Sequence, residues 1–283
     1  RGLAAAGIGS DTGGSVRLPA AWNSLVGLKT THGLLPDDGV VFLSAAFDTI
    51  GPLTRSVEDA ALLTAMMGAR RAPDLSGVSV KGARLMVLET VVLDDDCRDE
   101  PRAAFEVAVD ALAAAGAIIE RREAPEITEV LATAGHLVVG ETWAEWGEEI
   151  EARGDVMYAP IRKRFESGAS VTAAQYLRGW NKLNALRAQW NARVAGYDAV
   201  LIPSVPMLPP NTQALLADEE FFMSENLLAL RNTRIGNLLG VCGLTLPTET
   251  PMTGIMLMGR PFDEWRLCRL GAAAAPIVGP SFV

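Results

Sequence analysis

The stretch from residue 83 to 123 limits the fold more than any other part of this 283-residue chain. "ARLMVLE" (83–89) is an unbroken apolar run between turn signals, which predicts a buried strand. "RDEPRAAFEVAVDALAAAG" follows and predicts a helix that ends at Gly116. "AIIERRE" then predicts a second strand. A helix of that length between two strands works as a crossover, and crossovers favour parallel pairing. The segment therefore predicts an α/β fold.

Other elements can be read on either side. "SVEDAALLTAMMG" predicts a helix with Ser56 as N-cap, Asp59 at the capping-box position and Gly68 at its C-terminus. Val57, Ala60, Ala61 and Met67 fall near one face, so this helix is expected to be half buried. A long helix is expected over 126–152 and another over 172–195, with Tyr176, Trp180, Leu183, Trp190 and Val194 on one stripe and Gly196 as its stop. "DAVLIP" (198–203) reads as a buried strand and "SVPMLPP" as extended chain. A helix near 225–239, short strands at "GLTLP" and "TGIMLMG", and a last helix over 263–275 complete the reading. The whole chain, 1–283, is expected to be one domain, with the helical middle, 125–195, as a layer within it.

Composition excludes several function classes. The net charge is −9 and no basic run is present, which disfavours direct contact with nucleic acid, where clustered Lys and Arg must neutralise phosphates. No apolar run approaches the roughly 20 residues that span a bilayer, and the richest, near 272–278, is interrupted by Pro276. Cys97, Cys242 and Cys268 are far apart and form no CxxC, so neither a disulfide framework nor a zinc site is expected. That usage fits a reducing cytoplasm. The chain opens on Arg1, and "RGLAAAGIGSD" enters a glycine-rich loop without a preceding turn, so a natural N-terminal portion is expected upstream.

That loop, "IGSDTGGSVRLPAA" (8–21), has three readings. Gly9 and Gly14 have P-loop spacing, but Ser15 and Val16 occupy the places of its Lys and Ser/Thr, and Asp11 would repel phosphate. A plain tight turn held by an Asp11–Arg17 ion pair is the structural reading. In the third, the two glycines before Ser15 free the backbone N–H groups to converge on an oxyanion formed when the Ser15 hydroxyl attacks a carbonyl. It is not the G-x-S-x-G elbow, because Arg17 stands where the last glycine belongs. His32 and His136 are the only histidines and neither sits in a motif, so a lysine is the other candidate base.

"GSDTGGSVRLPAAWNSLVGLKTTHGLLP" (9–36) strongly resembles the core of the amidase signature family, serine hydrolases with a Ser-cisSer-Lys triad. "FDTIGPLTRSVEDAALL" (47–63), "YDAVLIPSVP" (197–206) and "GLTLPTETPMTGIMLMGRPFDEWRLCRLGAAA" (243–274) resemble later parts of the same family. The resemblance implies a mixed β-sheet covered by helices and hydrolysis of a small-molecule carboxamide through a serine acyl-enzyme. It implies no metal and no cofactor, and leaves a homodimer open. Ser15 corresponds to the nucleophile. The backbone N–H groups of Thr12, Gly13, Gly14 and Ser15 correspond to the oxyanion hole. Ser10 takes a position that hydrogen-bonds near the triad, and Asp11 and Arg17 that of a structural ion pair. The catalytic lysine and cis-serine are expected upstream, since Lys29 and Lys81 match neither role, so the chain alone is expected to be inactive. Alternatives are an amidotransferase A-type subunit working with a partner and a noncatalytic binding protein. Trp143, Trp146, Met157, Met207 and Met223 are candidates either for an acyl pocket or for the core.

Overall fold

A computed structural model describes residues 3–279. Its strands are β1 Gly7–Ser10, β2 Val26–Lys29, β3 Ile50–Thr54, β4 Arg84–Leu88, β5 Ile118–Arg122, β6 Ala199–Pro203, β7 Gly243–Pro247 and β8 Gly254–Met258. Its α-helices are α1 Arg17–Trp22, α2 Val57–Met67, α3 Asp99–Ala114, α4 Glu126–Arg153, α5 Ala159–Glu166, α6 Ala173–Val194, α7 Thr212–Ala217, α8 Glu219–Ala229, α9 Arg231–Leu239 and α10 Glu264–Val278. The strands form one eight-stranded mixed sheet in the order β1-β3-β2-β7-β8-β6-β4-β5. β4 runs parallel to both β5 and β6, and α3 is the crossover between β4 and β5. The remaining neighbours are antiparallel.

Alternation along the central strands divides the core into two layers. Leu85 and Val87 of β4, Leu201 of β6 and Leu257 of β8 pack with α2, α3 and α10 on one face. Met86 and Leu88, Val200 and Ile202, and Met256 and Met258 pack on the other face with α4, α6 and α9. These strands are covered on both faces and so read as continuous apolar runs. Leu183, Leu186, Trp190 and Val194 of α6 are buried in the second layer, and Phe47 stacks on Trp180 with ring centroids 5.2 Å apart. On the first face α10 lies so close to β7 that a side chain on Gly271 would collide with Leu244.

Ser56 caps α2 by accepting the Asp59 N–H at 3.0 Å. Ser56→Ala is therefore expected to cost about 1 kcal/mol, seen as a lower urea midpoint at unchanged slope.

The structure departs from the sequence reading at five places, the first being α1 and β2, which the reading did not assign. β1 and β3 were not legible, because "GIGS" lacks an apolar alternation and "IGPLT" carries Pro52, which argues against an interior strand. The helix near 225–239 is two helices, α8 and α9, which meet at Leu230. α5 and α7 are short and carry too little periodicity to be read. α10 runs through Pro276 to Val278, since proline in a final turn removes only one helical hydrogen bond. No helix among the described residues is long and apolar enough to cross a membrane.

Candidate active site

The glycine-rich loop joins β1 to α1. Its entry is fixed because Asp11 and Thr49 exchange backbone hydrogen bonds, which continues the β1–β3 ladder by one pair. Asp11 then turns inward. Its Oδ2 accepts the N–H groups of Val16 and Arg17 at 3.2 and 3.4 Å, and Arg17 Nε at 3.0 Å. Its Oδ1 accepts Arg17 Nη2 and Asn237 Nδ2, each at 2.8 Å. Both members of this ion pair are 0% exposed. Burial pushes the Asp11 carboxyl upward, but Arg17, Lys29 and Asn237 outweigh it and hold the group at about 2.

Helix α9 forms the other wall of the loop. Arg17 Nη1 donates to Thr233 O at 2.7 Å and Nη2 to Asn237 Oδ1 at 2.5 Å. Thr233 Oγ1 donates to Gly13 O at 2.8 Å, and Asn237 Nδ2 donates to Asp11 O at 2.9 Å. Thr12 Oγ1 donates to Asp48, whose other oxygen accepts the N–H groups of Leu43 and Ser44 at 2.7 and 3.2 Å.

Gly14 has φ +137°, and a Cβ there would lie 2.6 Å from Thr233 Cβ. Gly14→Ala is expected to destabilise the protein by about 1–3 kcal/mol from backbone strain and to displace the loop. Urea unfolding reads the first effect, and the rate of covalent labelling at Ser15 reads the second.

Ser15 is exposed, while Val16 and Arg17 beside it are buried. Ser15 stands where two cavities meet. One, of about 380 Å³, also touches Thr12 and Gly13 and extends to α4, α5 and α9. The other, of about 510 Å³, runs along Leu18, Trp22, Pro209, Leu215 and Phe222. Among the described residues, the backbone N–H groups of Thr12, Gly13, Gly14 and Ser15 donate to no protein acceptor, whereas the next two amides are taken by Asp11. The loop thus keeps four polar donors unspent beside an accessible hydroxyl.

Other sequence candidates fall elsewhere. Ser10, paired with Ile50 on β1, lines a separate small crevice with Asp48 and Thr49. Lys29 is buried and donates to Thr30 O at 2.9 Å and Val241 O at 2.8 Å. Burial, then Arg17, lowers it to about 8, but it lines neither Ser15 cavity and pairs with no carboxylate among the described residues. His32 Nδ1 contacts Asp48 O at 3.0 Å, and His136 is exposed; neither lines those cavities. Met207 is fully buried. Trp146 and Met157 line a different cavity, and Trp143 packs against Gly147 and Gly168. Met223 is half-buried and lines neither Ser15 cavity.

The family model described as Amidase matches residues 1–268. The chain belongs to the Amidase family. The 2-amino-5-chloromuconic acid deaminase of Comamonas testosteroni is 34% identical over 99% of this chain and 62% of its own length. The A-type subunit of the glutamyl-tRNA(Gln) amidotransferase of Thermotoga maritima is 27% identical over 96% of this chain and 64% of its own. Among solved structures, an amidase superposes with a TM-score of 0.84 at 25% identity, covering 97% of this chain and 63% of that one. The Thermotoga maritima protein gives 0.80 at 28%, covering 96% and 62%. The chain thus spans less than two thirds of the length of these Amidase relatives.

Sequence reasoning missed the α9 contribution. Thr233 and Asn237 stand four apart and face the loop, while Ile235, Leu238 and Leu239 face the core. A polar pair at helical spacing within an otherwise buried helix was the available signal. Arg164 and Arg234, which line the first Ser15 cavity, were missed as well.

Proposed function

We propose that the full-length protein is an amidase that hydrolyses a carboxamide C–N bond through an acyl-enzyme on Ser15. One observation carries this reading: an exposed serine hydroxyl at the junction of two cavities, beside four backbone N–H groups without protein partners among the described residues. Ser15 Oγ bonds to the carbonyl carbon and loses its proton to a base. The carbonyl oxygen takes the negative charge, and the N–H groups of Thr12, Gly13, Gly14 and Ser15 receive it. The C–N bond then breaks and the amine leaves with the proton. Water releases the acid from Ser15 by the same path in reverse.

The base is a lysine acting through a cis-serine, as in the enzymes that the 9–36 segment resembles. Among the described residues no lysine or histidine lines either Ser15 cavity, so those two groups are assigned to the part of the protein outside this chain. This chain by itself is accordingly expected to be inactive. Ser10, Asp11 and Arg17 support the loop and do not touch the reacting atoms.

A fluorophosphonate probe added to the full-length protein tests the assignment. Labelling is expected at Ser15 and nowhere else. Labelling that persists in Ser15→Ala would sink the nucleophile role. A second reading, as one component of an amidotransferase, is favoured by the similarity to the Thermotoga maritima protein. Glutaminase activity that appears only after addition of a partner protein would support it over the first.

A further inference from the structure

The 380 Å³ cavity at Ser15 is walled mainly by apolar side chains, among them Leu131, Val138, Ile161 and Leu230. Its charged lining residues are Arg164 of α5 and Arg234 of α9. No carboxylate lines it, and neither arginine forms an ion pair among the described residues. Arg164 Nη1 reaches Asn226 Oδ1 at 3.3 Å, while Arg234 Nη2 is buried and has no hydrogen-bond partner among the described residues. Burial, together with the neighbouring Arg164, lowers Arg234 to about 10.

Two neighbouring guanidinium groups against an apolar wall are costly to hold unpaired. Acids are not scarce in this chain, which carries a net charge of −9, yet none was placed here. The described walls supply no counter-charge, which leaves the position open to an anion bound in the cavity. A guanidinium offers paired N–H donors that match the two oxygens of a carboxylate. Arg234 Nε lies 3.9 Å from where a Cβ of Gly13 would be, so this charge sits directly beside the Ser15 loop. The other Ser15 cavity has no arginine in its lining among the described residues. It is lined by Glu225, whose Oε1 is paired with Arg98 and whose Oε2 is buried.

We propose that Arg164 and Arg234 bind a carboxylate on the acyl part of the substrate, so that the amides accepted are monoamides of short dicarboxylic acids. This deepens the amidase reading and rests on it for the reacting group; the anion site itself is tested without turnover. Calorimetric titration of the full-length protein with succinate, glutarate, adipate and inorganic phosphate reads binding directly. At least one dicarboxylate is expected to bind more tightly than phosphate. Arg164→Gln and Arg234→Gln, with thermal melts establishing that each is folded, are each expected to weaken it about 10–100-fold, as loss of a charged hydrogen bond does. Arg234→Lys is expected to recover part of the loss. If no dicarboxylate binds, if phosphate binds best, or if both Gln variants bind like the parent, the proposal is overturned. In turnover, succinamate, glutaramate and adipamate are compared with butanamide, pentanamide and hexanamide. The best acid amide is expected to exceed its neutral analogue in kcat/KM by at least about tenfold, chiefly through KM, and equal values overturn the proposal. Fluorophosphonate labelling judges the amidase reading separately: an unlabelled Ser15 with intact dicarboxylate binding removes the reaction and leaves the anion site standing.

Discussion

Ser15→Ala in the full-length protein is expected to lower amide turnover by roughly four to six orders of magnitude, as loss of a nucleophile does in comparable serine hydrolases. It is also expected to abolish fluorophosphonate labelling. Stability should hardly change, by less than about 0.5 kcal/mol, because the Ser15 side chain is exposed and makes no hydrogen bond to protein among the described residues. The loop is held instead by Asp11, Thr12 and α9. Comparing initial rates with the urea midpoint separates the two effects. A rate loss below about tenfold with an unchanged midpoint would remove Ser15 from the chemistry.

Arg17→Met is expected to have the opposite profile, with stability lost first and activity lost as a consequence. Removing the guanidinium leaves the Asp11 carboxylate buried and short of its main partner, and strips a donor from both Thr233 O and Asn237 Oδ1. Breaking one side of a buried pair in this way typically costs about 3–5 kcal/mol. The pH dependence follows from the same pair. Asp11 is held at about 2 when folded, below its ordinary 3.8. Its contribution is therefore fully present above the unfolded value and is lost as pH falls toward about 2. In Arg17→Met the burial of Asp11 is no longer outweighed, so its folded value rises and the sign inverts: the buried carboxylate destabilises the variant at neutral pH, and that penalty is relieved as pH falls and the group is protonated. Unfolding midpoints of the two proteins between pH 3 and 7 should diverge least at the acid end, where protonation has already neutralised Asp11. A constant difference across that range would show that the carboxylate is not the source.

The layered α/β core was legible because its strands and long helices carry their own periodicity. "ARLMVLE", the helix after it and "AIIERRE" are the observed β4, α3 and β5, paired in parallel. Tyr176, Trp180, Leu183, Trp190 and Val194 mark one side of α6, and all five belong to or pack against the core layer beneath it. The first third was harder. β1 and β3 exist because they pair with each other around the loop, and pairing between residues such as Gly7 and Leu53 leaves no local pattern. The same limit applied at the candidate site. Glycines before a serine mark a loop able to present its amides, and that can be read along the chain. What fixes the loop's shape is Thr233 and Asn237, and what gives its cavity charge is Arg164 and Arg234, all supplied through the tertiary fold. Lys29 shows the converse: a lysine close in sequence to the loop proves to be a buried donor to two carbonyls.

The bonds from α9 to the loop join residues 216 to 226 positions apart. Contacts of such separation require a large loop to close before they return any stabilisation, so they form late and slowly. The serine emerges from the ribosome well ahead of the helix that shapes its surroundings. Until α9 docks, the Asp11–Arg17 pair lacks its Thr233 and Asn237 partners. Reactivity at Ser15 should consequently be among the last properties to appear during refolding, after far-ultraviolet dichroism has already reached its final value.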